Sequence, residues 1–386
     1  MNPAAPSATY RKHDSFVGLR HRAPVSQEAV WARIRSMLGR MDEIPMSEEA
    51  RGIVRQACAE LLGNPGEHEE RFRLHSYVVE EMSRLTDEEL PRYLGYRFRY
   101  EMFPRRLILD GFPPCLQIEP TSICNYRCVF CYQSDERLTT RRNGHMGMMS
   151  LSLFKRLIDQ AHGRCEAVTL ASRGEPLLCP DLEAMLAYAR GKFLALKMNT
   201  NASRLNEPLC HAILQAEVQT LVFSVDAASE PAYSQFRRGG HLEGVLKNIA
   251  RFRDIRTKRY PHSRVITRIS GVKVPGTPGL DELETFWGEL VDQVAFVAYN
   301  PWEHIYERPL HDLSTPCSDL WRRMFVWWDG LVNPCDSDYQ STLAVGSAME
   351  QDLDRLWRCD RYQQLRRHHR ERQRSHCSPC NRCPVV

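Results

Sequence analysis

The spacing of apolar and polar positions changes character three times along the chain. Residues 1–25 contain Pro, Ala and Arg without any periodicity, and read as a loosely docked arm. From Ser26 to about Leu94 the pattern is helical, with Trp31, Ile34, Met37 and Leu38 recurring on one face. Ser47 ahead of Glu48 and Glu49 supplies an N-cap with acids in the first turn. Ile53, Ala57, Leu61 and Leu62 carry that helix to Gly63-Asn64-Pro65, which breaks it. A capping box, Thr86-Asp87-Glu88-Glu89, opens another short helix. This helical extension is expected to cover one side or end of the domain C-terminal to it.

From Pro113 short apolar runs alternate with amphipathic ones. Strands are predicted over Cys115–Glu119, Ala167–Ala171, Leu194–Asn199, Thr220–Val225, Val265–Val274 and Val294–Ala298. Helices are predicted between them, over Leu151–His162, Asp181–Ala189, Glu207–Ala216, a long stretch ending near Arg256, and Leu280–Leu290. Six strand–helix units in a row imply a parallel sheet covered by helices, with reactive residues at the C-terminal ends of the strands. After Asn300-Pro301 the pattern breaks again. The aromatic run Phe325-Val326-Trp327-Trp328 and the turn Asp329-Gly330 predict a β-hairpin through Met324–Trp328 and Leu331–Pro334, inside a small, separate, metal-stapled domain. The resulting organisation is 1–112 helical, 113–310 strand–helix, and 311–386 Cys-rich.

At 386 residues, 42% hydrophobic and 26% charged, the chain is an ordinary globular protein with room for several domains. No apolar run approaches the length of a membrane span, and Met1–Ser7 lacks the apolar core of a signal peptide. A cytoplasmic location without membrane contact is expected. The net charge of +4 is too small to argue for nucleic acid.

The fourteen cysteines change the picture, because they are clustered. Clustered Cys in a non-exported chain reads as metal ligation, not as disulfides. Cys58, Cys115, Cys165, Cys179 and Cys210 stand singly and read as small buried hydrophobes. Cys124, Cys128 and Cys131 form C-x3-C-x2-C directly after the first predicted strand. Three thiolates suit an iron–sulfur cluster with one iron left open; a zinc site is the competing reading. In the C-terminal region Cys317, Cys335, Cys380 and Cys383 give four thiolates, enough for a closed second cluster, with Cys377 a fifth candidate and zinc again the competitor.

The C-x3-C-x2-C triplet, with Phe130 before its third Cys, resembles that of the radical S-adenosylmethionine (SAM) enzymes. The resemblance spans about residues 113–386 and implies an incomplete (β/α)6 barrel. It implies that one electron to the first [4Fe-4S] cluster cleaves SAM to a 5′-deoxyadenosyl radical, which takes hydrogen from a substrate. Ser172-Arg173-Gly174-Glu175-Pro176 resembles the family's Gly-Gly-Glu-Pro loop, with Arg173 in place of the first Gly. Gly174 would then permit close approach, and Glu175 would accept from the amino group of SAM. The resemblance places Tyr132 at the adenine, and Asn199, Ser224 and Asp226 at the ribose and carboxylate. Arg268 and Lys273 are candidates for the SAM carboxylate or the substrate.

Trp327 to Cys335, then Gly346, Leu356-Trp357 and Leu365, resemble the SPASM/twitch extension of the same enzymes. The spacing of Cys317, Cys335, Cys380 and Cys383 resembles that of the single-cluster, twitch-type aminocyclitol dehydrogenases, which favours these four over Cys377 for an auxiliary [4Fe-4S] cluster. Cys359 reads as structural. The basic run Arg366–Arg374 reads as a solvated helix face, with phosphate binding the lesser reading. Glu303, His304, Tyr306 and Arg308 follow the sixth strand and could face the barrel mouth.

The expected function is a radical SAM oxidoreductase that dehydrogenates or epimerises a small molecule: a carbohydrate, aminocyclitol or nucleotide sugar. A flavodoxin or ferredoxin would donate electrons. Peptide or protein modification is the alternative enzyme reading, RNA modification a weaker one, and a non-catalytic iron–sulfur protein the alternative outside enzymes.

Overall fold

In the computed structural model, residues 9–12, 15–63 and 71–386 are described. Residues 1–8 and 13–14 of the expected arm, and the helix-breaking Asn64-Pro65, lie outside the described residues.

Ten strands form one sheet in the order β1-β7-β6-β5-β4-β3-β2-β8-β9-β10. Its centre is six parallel strands: β2 Cys115–Ile118, β3 Ala167–Leu170, β4 Ala195–Thr200, β5 Thr220–Ser224, β6 Ile266–Lys273 and β7 Gln293–Ala298. Helices separate them, as the alternating pattern requires. The helices Leu151–Ala161, Leu182–Ala189, Glu207–Gln215 and Leu280–Trp287 match the predicted spans closely. The expected long fourth helix is instead two, Glu230–Phe236 and Leu242–Arg259. Gly239, at φ +89°, turns the chain between them, and its neighbourhood meets the cysteine loop.

Two expectations are overturned at the sheet edges. Part of the supposed arm is β1, Phe16–His21, paired antiparallel with β7. Its Phe16, Gly18 and Arg20 carry no apolar periodicity because only a short, twisted edge is being made. The C-terminal hairpin does form, as β8 Arg323–Val326 and β9 Leu331–Asn333, with β10 Gly346–Ser347 beyond it. It is not separate, however: β8 lies parallel to β2 and continues the barrel sheet. Met324, Phe325 and Val326 are all buried, the signature of a strand covered on both faces.

The helical extension comprises α1 Gln27–Gly39, α2 Glu48–Leu62, α3 Ser76–Ser83 and α4 Leu90–Arg105. Ser47 caps α2 through a bond from Ala50 N at 3.2 Å. The capping box forms reciprocally, Thr86 N to Glu89 Oε2 at 2.8 Å and Glu89 N to Thr86 Oγ1 at 3.3 Å, and opens a helix of 16 residues instead of a short one. The apolar core of this bundle includes Cys115, Ala167 and Ala195, the first residues of β2, β3 and β4. The extension therefore closes the N-terminal end of the barrel, opposite the cysteine loop. Among the described residues no helix is long and apolar enough to cross a membrane.

Candidate active site

The loop after β2 carries Cys124, Cys128 and Cys131. Thr121 anchors its start by donating to Gly147 O at 2.8 Å, and Gln133 anchors its end by donating to Ser122 O at 2.7 Å. The segment between the two helices pairs with its middle, through Arg127 N to Arg238 O at 2.9 Å and Val129 N to Phe236 O at 3.1 Å. Backbone amides turn toward sulfur: Tyr126 N lies 3.4 Å from Cys124 Sγ and Gln133 N 3.5 Å from Cys131 Sγ.

The loop after β3 packs directly upon this one. Glu175 N donates to Ile123 O at 2.9 Å. A Cβ on residue 174 would stand 2.1 Å from Thr121 O, so only glycine allows the approach. Arg173, the departure from the family loop, is a structural cation. It grips the buried Glu119 with Nε and Nη2 at 2.7 and 2.8 Å, donates to Tyr339 O at 3.0 Å, and lies over the Trp327 ring. It thereby ties the loop to the C-terminal hairpin. Glu175 is buried and accepts from Thr200 Oγ1 at 2.6 Å, Asn201 N at 2.7 Å and Leu177 N at 3.1 Å. Burial raises its pKa in spite of these three donors, so a cationic group beside it would be stabilised.

All three thiols face one cavity of about 470 Å³. Phe130, Tyr132, Gly174, Glu175, Asn199, Ser224 and Arg268 line the same space, which brings most of the expected set together. Tyr132 is stacked on Tyr339, ring centroids 5.3 Å apart. Asn199 Oδ1 is buried without a hydrogen-bond partner.

Three expected residues are placed otherwise. Asp226 is fully buried behind the lining, held by Arg237 Nε and by Val272 N at 2.6 Å. It acts on the cavity through Arg237, whose Nη1 reaches 3.7 Å from Cys128 Sγ. Lys273 turns outward and donates to Pro278 O at 2.7 Å. Arg268 sits low in the barrel, beside Phe16 and Tyr77, away from the rim. Of the residues after β7, Tyr306 donates to Asp338 at 2.7 Å and Glu303 is buried, so both serve the junction with the C-terminal segment; Trp302 lines the cavity instead.

Burial drives the three thiols upward, Cys124 to about 12 with help from Glu175, while Arg237 works against the rise at Cys128. Three thiolates here need more positive charge than one arginine provides. The three thiols line one cavity together with Glu175 and Asn199. The donor set fits a polynuclear cationic cluster with a polar ligand beside it.

A second, small cavity is lined by Cys317, Cys335, Cys380 and Cys383, with Cys377 outside that lining. Burial raises Cys317 to about 11, and Cys335 and Cys380 further. The basic run Arg366–Arg374 is split: Arg367, Arg370 and Arg372 form the expected solvated face, while Arg366, His369 and Arg374 turn inward. Arg366 is buried between Trp357 and Tyr362, His369 accepts from Cys317 N at 3.1 Å, and Arg374 donates to Cys380 O at 2.9 Å.

Sequence reasoning missed Lys12, Lys197, Arg237, Trp302 and Arg323, all of which line the main cavity. For Lys197 a signal existed: it alternates with Asn199 on a predicted strand, so the two share a face.

The radical SAM superfamily profile matches residues 118–274, and that of the SPASM iron–sulfur cluster-binding domain matches residues 317–384. A stretch of 144 residues is 26% identical to the AdoMet-dependent heme synthase of Methanosarcina barkeri, covering 37% of this chain and 40% of that one. One of 185 residues is 25% identical to a probable GTP 3′,8-cyclase of Thermococcus kodakarensis, covering 47% and 52%. The matches to the leading curated relatives thus span only about two fifths of their length. SuiB of Streptococcus suis, solved with precursor peptide SuiA, shares the fold at TM-score 0.53 and 14% identity, over 88% of this chain and 83% of that one. With the cysteine loop at the head of an α/β sheet and a second Cys-lined cavity beside the C-terminal hairpin, the chain carries a radical SAM domain followed by a SPASM iron–sulfur cluster-binding domain, the organisation of radical SAM enzymes with a SAM-binding [4Fe-4S] site and auxiliary iron–sulfur.

Proposed function

We propose that this enzyme takes a hydrogen atom from a small molecule, a carbohydrate, aminocyclitol or nucleotide sugar, and dehydrogenates or epimerises it. The observation that carries this reading is the cavity itself. It is about 470 Å³, polar along its strands, and closed at the far end by the N-terminal helices. With the cluster and SAM taking the thiol end, the closed floor and its polar side chains suit a compact polar molecule.

Cys124, Cys128 and Cys131 would hold the first cluster, and Cys317, Cys335, Cys380 and Cys383 a single auxiliary one. When bound, the first cluster and SAM supply a carbon-centred oxidant, and the auxiliary cluster supplies an acceptor for a second electron. The chain's own residues do the positioning. Glu175 offers a carboxylate to the SAM ammonium, Asn199 Oδ1 an unused acceptor, Ser224 a hydroxyl, and Tyr132 an aromatic face. Arg237, fixed by Asp226, places positive charge at Cys128. Phe130, Trp302 and Phe16 exclude water from the space between. A flavodoxin- or ferredoxin-type donor would deliver the electron, and no nucleic-acid partner is required.

The test is formation of 5′-deoxyadenosine by the reconstituted, dithionite-reduced protein, then its acceleration by candidate substrates. Acceleration by sugars or aminocyclitols supports the proposal. Acceleration by peptides alone would replace it with peptide modification, and no 5′-deoxyadenosine under any condition would end the enzymatic reading.

A further inference from the structure

Below the rim the cavity changes chemistry. Its floor, next to the helical extension, is lined by Lys197 on β4, Arg268 on β6 and Arg323 on β8, with Tyr77, Tyr96, Tyr100 and Glu81. Among the described residues, none of the three cations has a carboxylate within ion-pair distance. Arg268 donates from Nε to Gln293 Oε1 at 2.5 Å, and its Nη2 is buried with no partner, although the residue is only 3% exposed. Arg323 is held by the Tyr100 hydroxyl and by Gln117 Oε1 at 3.1 Å. Lys197 has neither a hydrogen bond nor an ion pair among the described residues. The acid at hand, Glu81, already accepts from Tyr93 and, at 3.4 Å, from Thr220.

Several buried cations elsewhere are paired with carboxylates, Lys12 with Asp319 and Asp336, Arg97 with Glu101, Arg173 with Glu119, Arg237 with Asp226, while Arg366 and Arg374 are satisfied by backbone carbonyls. Arg268 is buried, and Lys197 and Arg323 are half-buried in the cavity wall; charges so placed on one hollow are unfavourable unless something anionic joins them. Burial, then Arg268 and Arg323, pull the Lys197 ammonium down to about 7, whereas Arg323 is held up against burial by Tyr100, Cys115 and Asp319. The relation to the rim is set by the strand. Lys197 and Asn199 are successive inward positions of β4, about 7 Å apart along the strand.

We propose that the floor is an anion site: the substrate of this cavity carries a carboxylate or a phosphate, which Lys197, Arg268 and Arg323 hold while the rest of the molecule points past Asn199 toward the thiols. This rests on the cavity being the substrate chamber, and narrows the substrate to a sugar acid, a sugar phosphate or a similarly charged polyol. The anion fixes the orientation of the C–H bond that is presented, and a neutral sugar of the same size would be held poorly.

Calorimetric titration of the full chain at constant ionic strength, with and without SAM, tests it with four probes: inorganic phosphate, glucose 6-phosphate, D-glucuronate and glucose. Binding of phosphate or glucuronate, with no heat from glucose, is expected, and whichever anion binds identifies the group. Lys197→Met should weaken that binding at least tenfold, with Arg268→Gln as the second variant should the first not fold. No binding by any anion to the wild type, or wild-type affinity in a folded Lys197→Met, would overturn the site. Uncoupled 5′-deoxyadenosine formation by the same wild-type preparations is read separately. Its absence would remove the enzymatic reading while leaving the anion site standing.

Discussion

Gly174→Ala isolates the joint between the two loops of the site. Gly174 does not occupy the left-handed region, so alanine carries no backbone penalty, and the effect is purely steric. The added Cβ would lie 2.1 Å from Thr121 O and 2.7 Å from Ile123 O, both backbone atoms that cannot swing aside. Ordinary contact begins near 3.4 Å, so the loops must part by about 1.3 Å. That opening takes the 2.9 Å bond from Glu175 N to Ile123 O out of range. Overpacking costs about 1–3 kcal/mol and the lost hydrogen bond about 1. The variant should therefore lose about 2–4 kcal/mol in urea denaturation of the iron-free protein. Glu175 also moves relative to the thiols, and a displacement of about 1 Å at a reacting centre typically lowers rate about a hundredfold. 5′-Deoxyadenosine formation per reconstituted cluster reads that second effect. Wild-type stability together with wild-type SAM cleavage would show that the two loops are not held in contact.

Other substitutions test other joints. Cys124→Ala should abolish 5′-deoxyadenosine formation, measured by chromatography, and retained cleavage would exclude that thiol as a ligand. Cys335→Ala should lower iron and sulfide from about eight to about four of each per chain, whereas unchanged content would remove the auxiliary site. Arg173→Gly restores the family's glycine yet should destabilise by about 3–5 kcal/mol, because Glu119 is left buried without its partner; equal stability by urea denaturation would show the pair contributes nothing.

The barrel was legible because parallel strands buried on both sides leave continuous apolar runs such as Ala167–Leu170 and Thr220–Ser224, and helices between them leave a 3.6-residue period. The cysteine loop was legible because its ligands are neighbours in sequence. What escaped was whatever depends on where edges meet. Phe16–His21 has no periodicity of its own and becomes a strand only because β7 offers an edge. Met324–Trp328 looked like half of an isolated hairpin, since nothing local says that β2 has a free side. Arg237 and Arg323 are unremarkable as letters. Their roles come from Asp226, Cys128 and Tyr100, far away in sequence or on another strand. The basic run at Arg366–Arg374 was half legible: Arg367, Arg370 and Arg372 face solvent, but aromatic rings and backbone carbonyls take up Arg366 and Arg374.

Two lysines line the same cavity and should respond to the same mutation with opposite sign. Lys12 reaches the C-terminal segment and is clamped by Asp319 at 2.6 Å and Asp336 at 2.5 Å, one near Cys317 and the other beside Cys335. Burial opposes its charge, but the two carboxylates outweigh burial and raise its pKa. Its contribution is therefore complete below the unfolded value near 10.5 and is lost only as pH rises through the higher folded value. Lys12→Met leaves the half-buried Asp336 without its cation and Asp319 with Arg322 alone, and should cost about 3 kcal/mol at pH 7. Lys197 is the reverse. With its pKa pulled to about 7, the folded state carries a penalty while the group is charged, and stability rises as pH climbs from about 7 toward 10.5. The whole shift corresponds to about 5 kcal/mol, and water in the cavity reduces it to about 2–4. Lys197→Met should thus stabilise the ligand-free protein below pH 7, and the gain should shrink as pH rises. Urea denaturation of both variants from pH 6 to 10 measures this. A destabilising Lys197→Met would mean that the floor is already neutralised by the protein itself, leaving no charge for a substrate to meet.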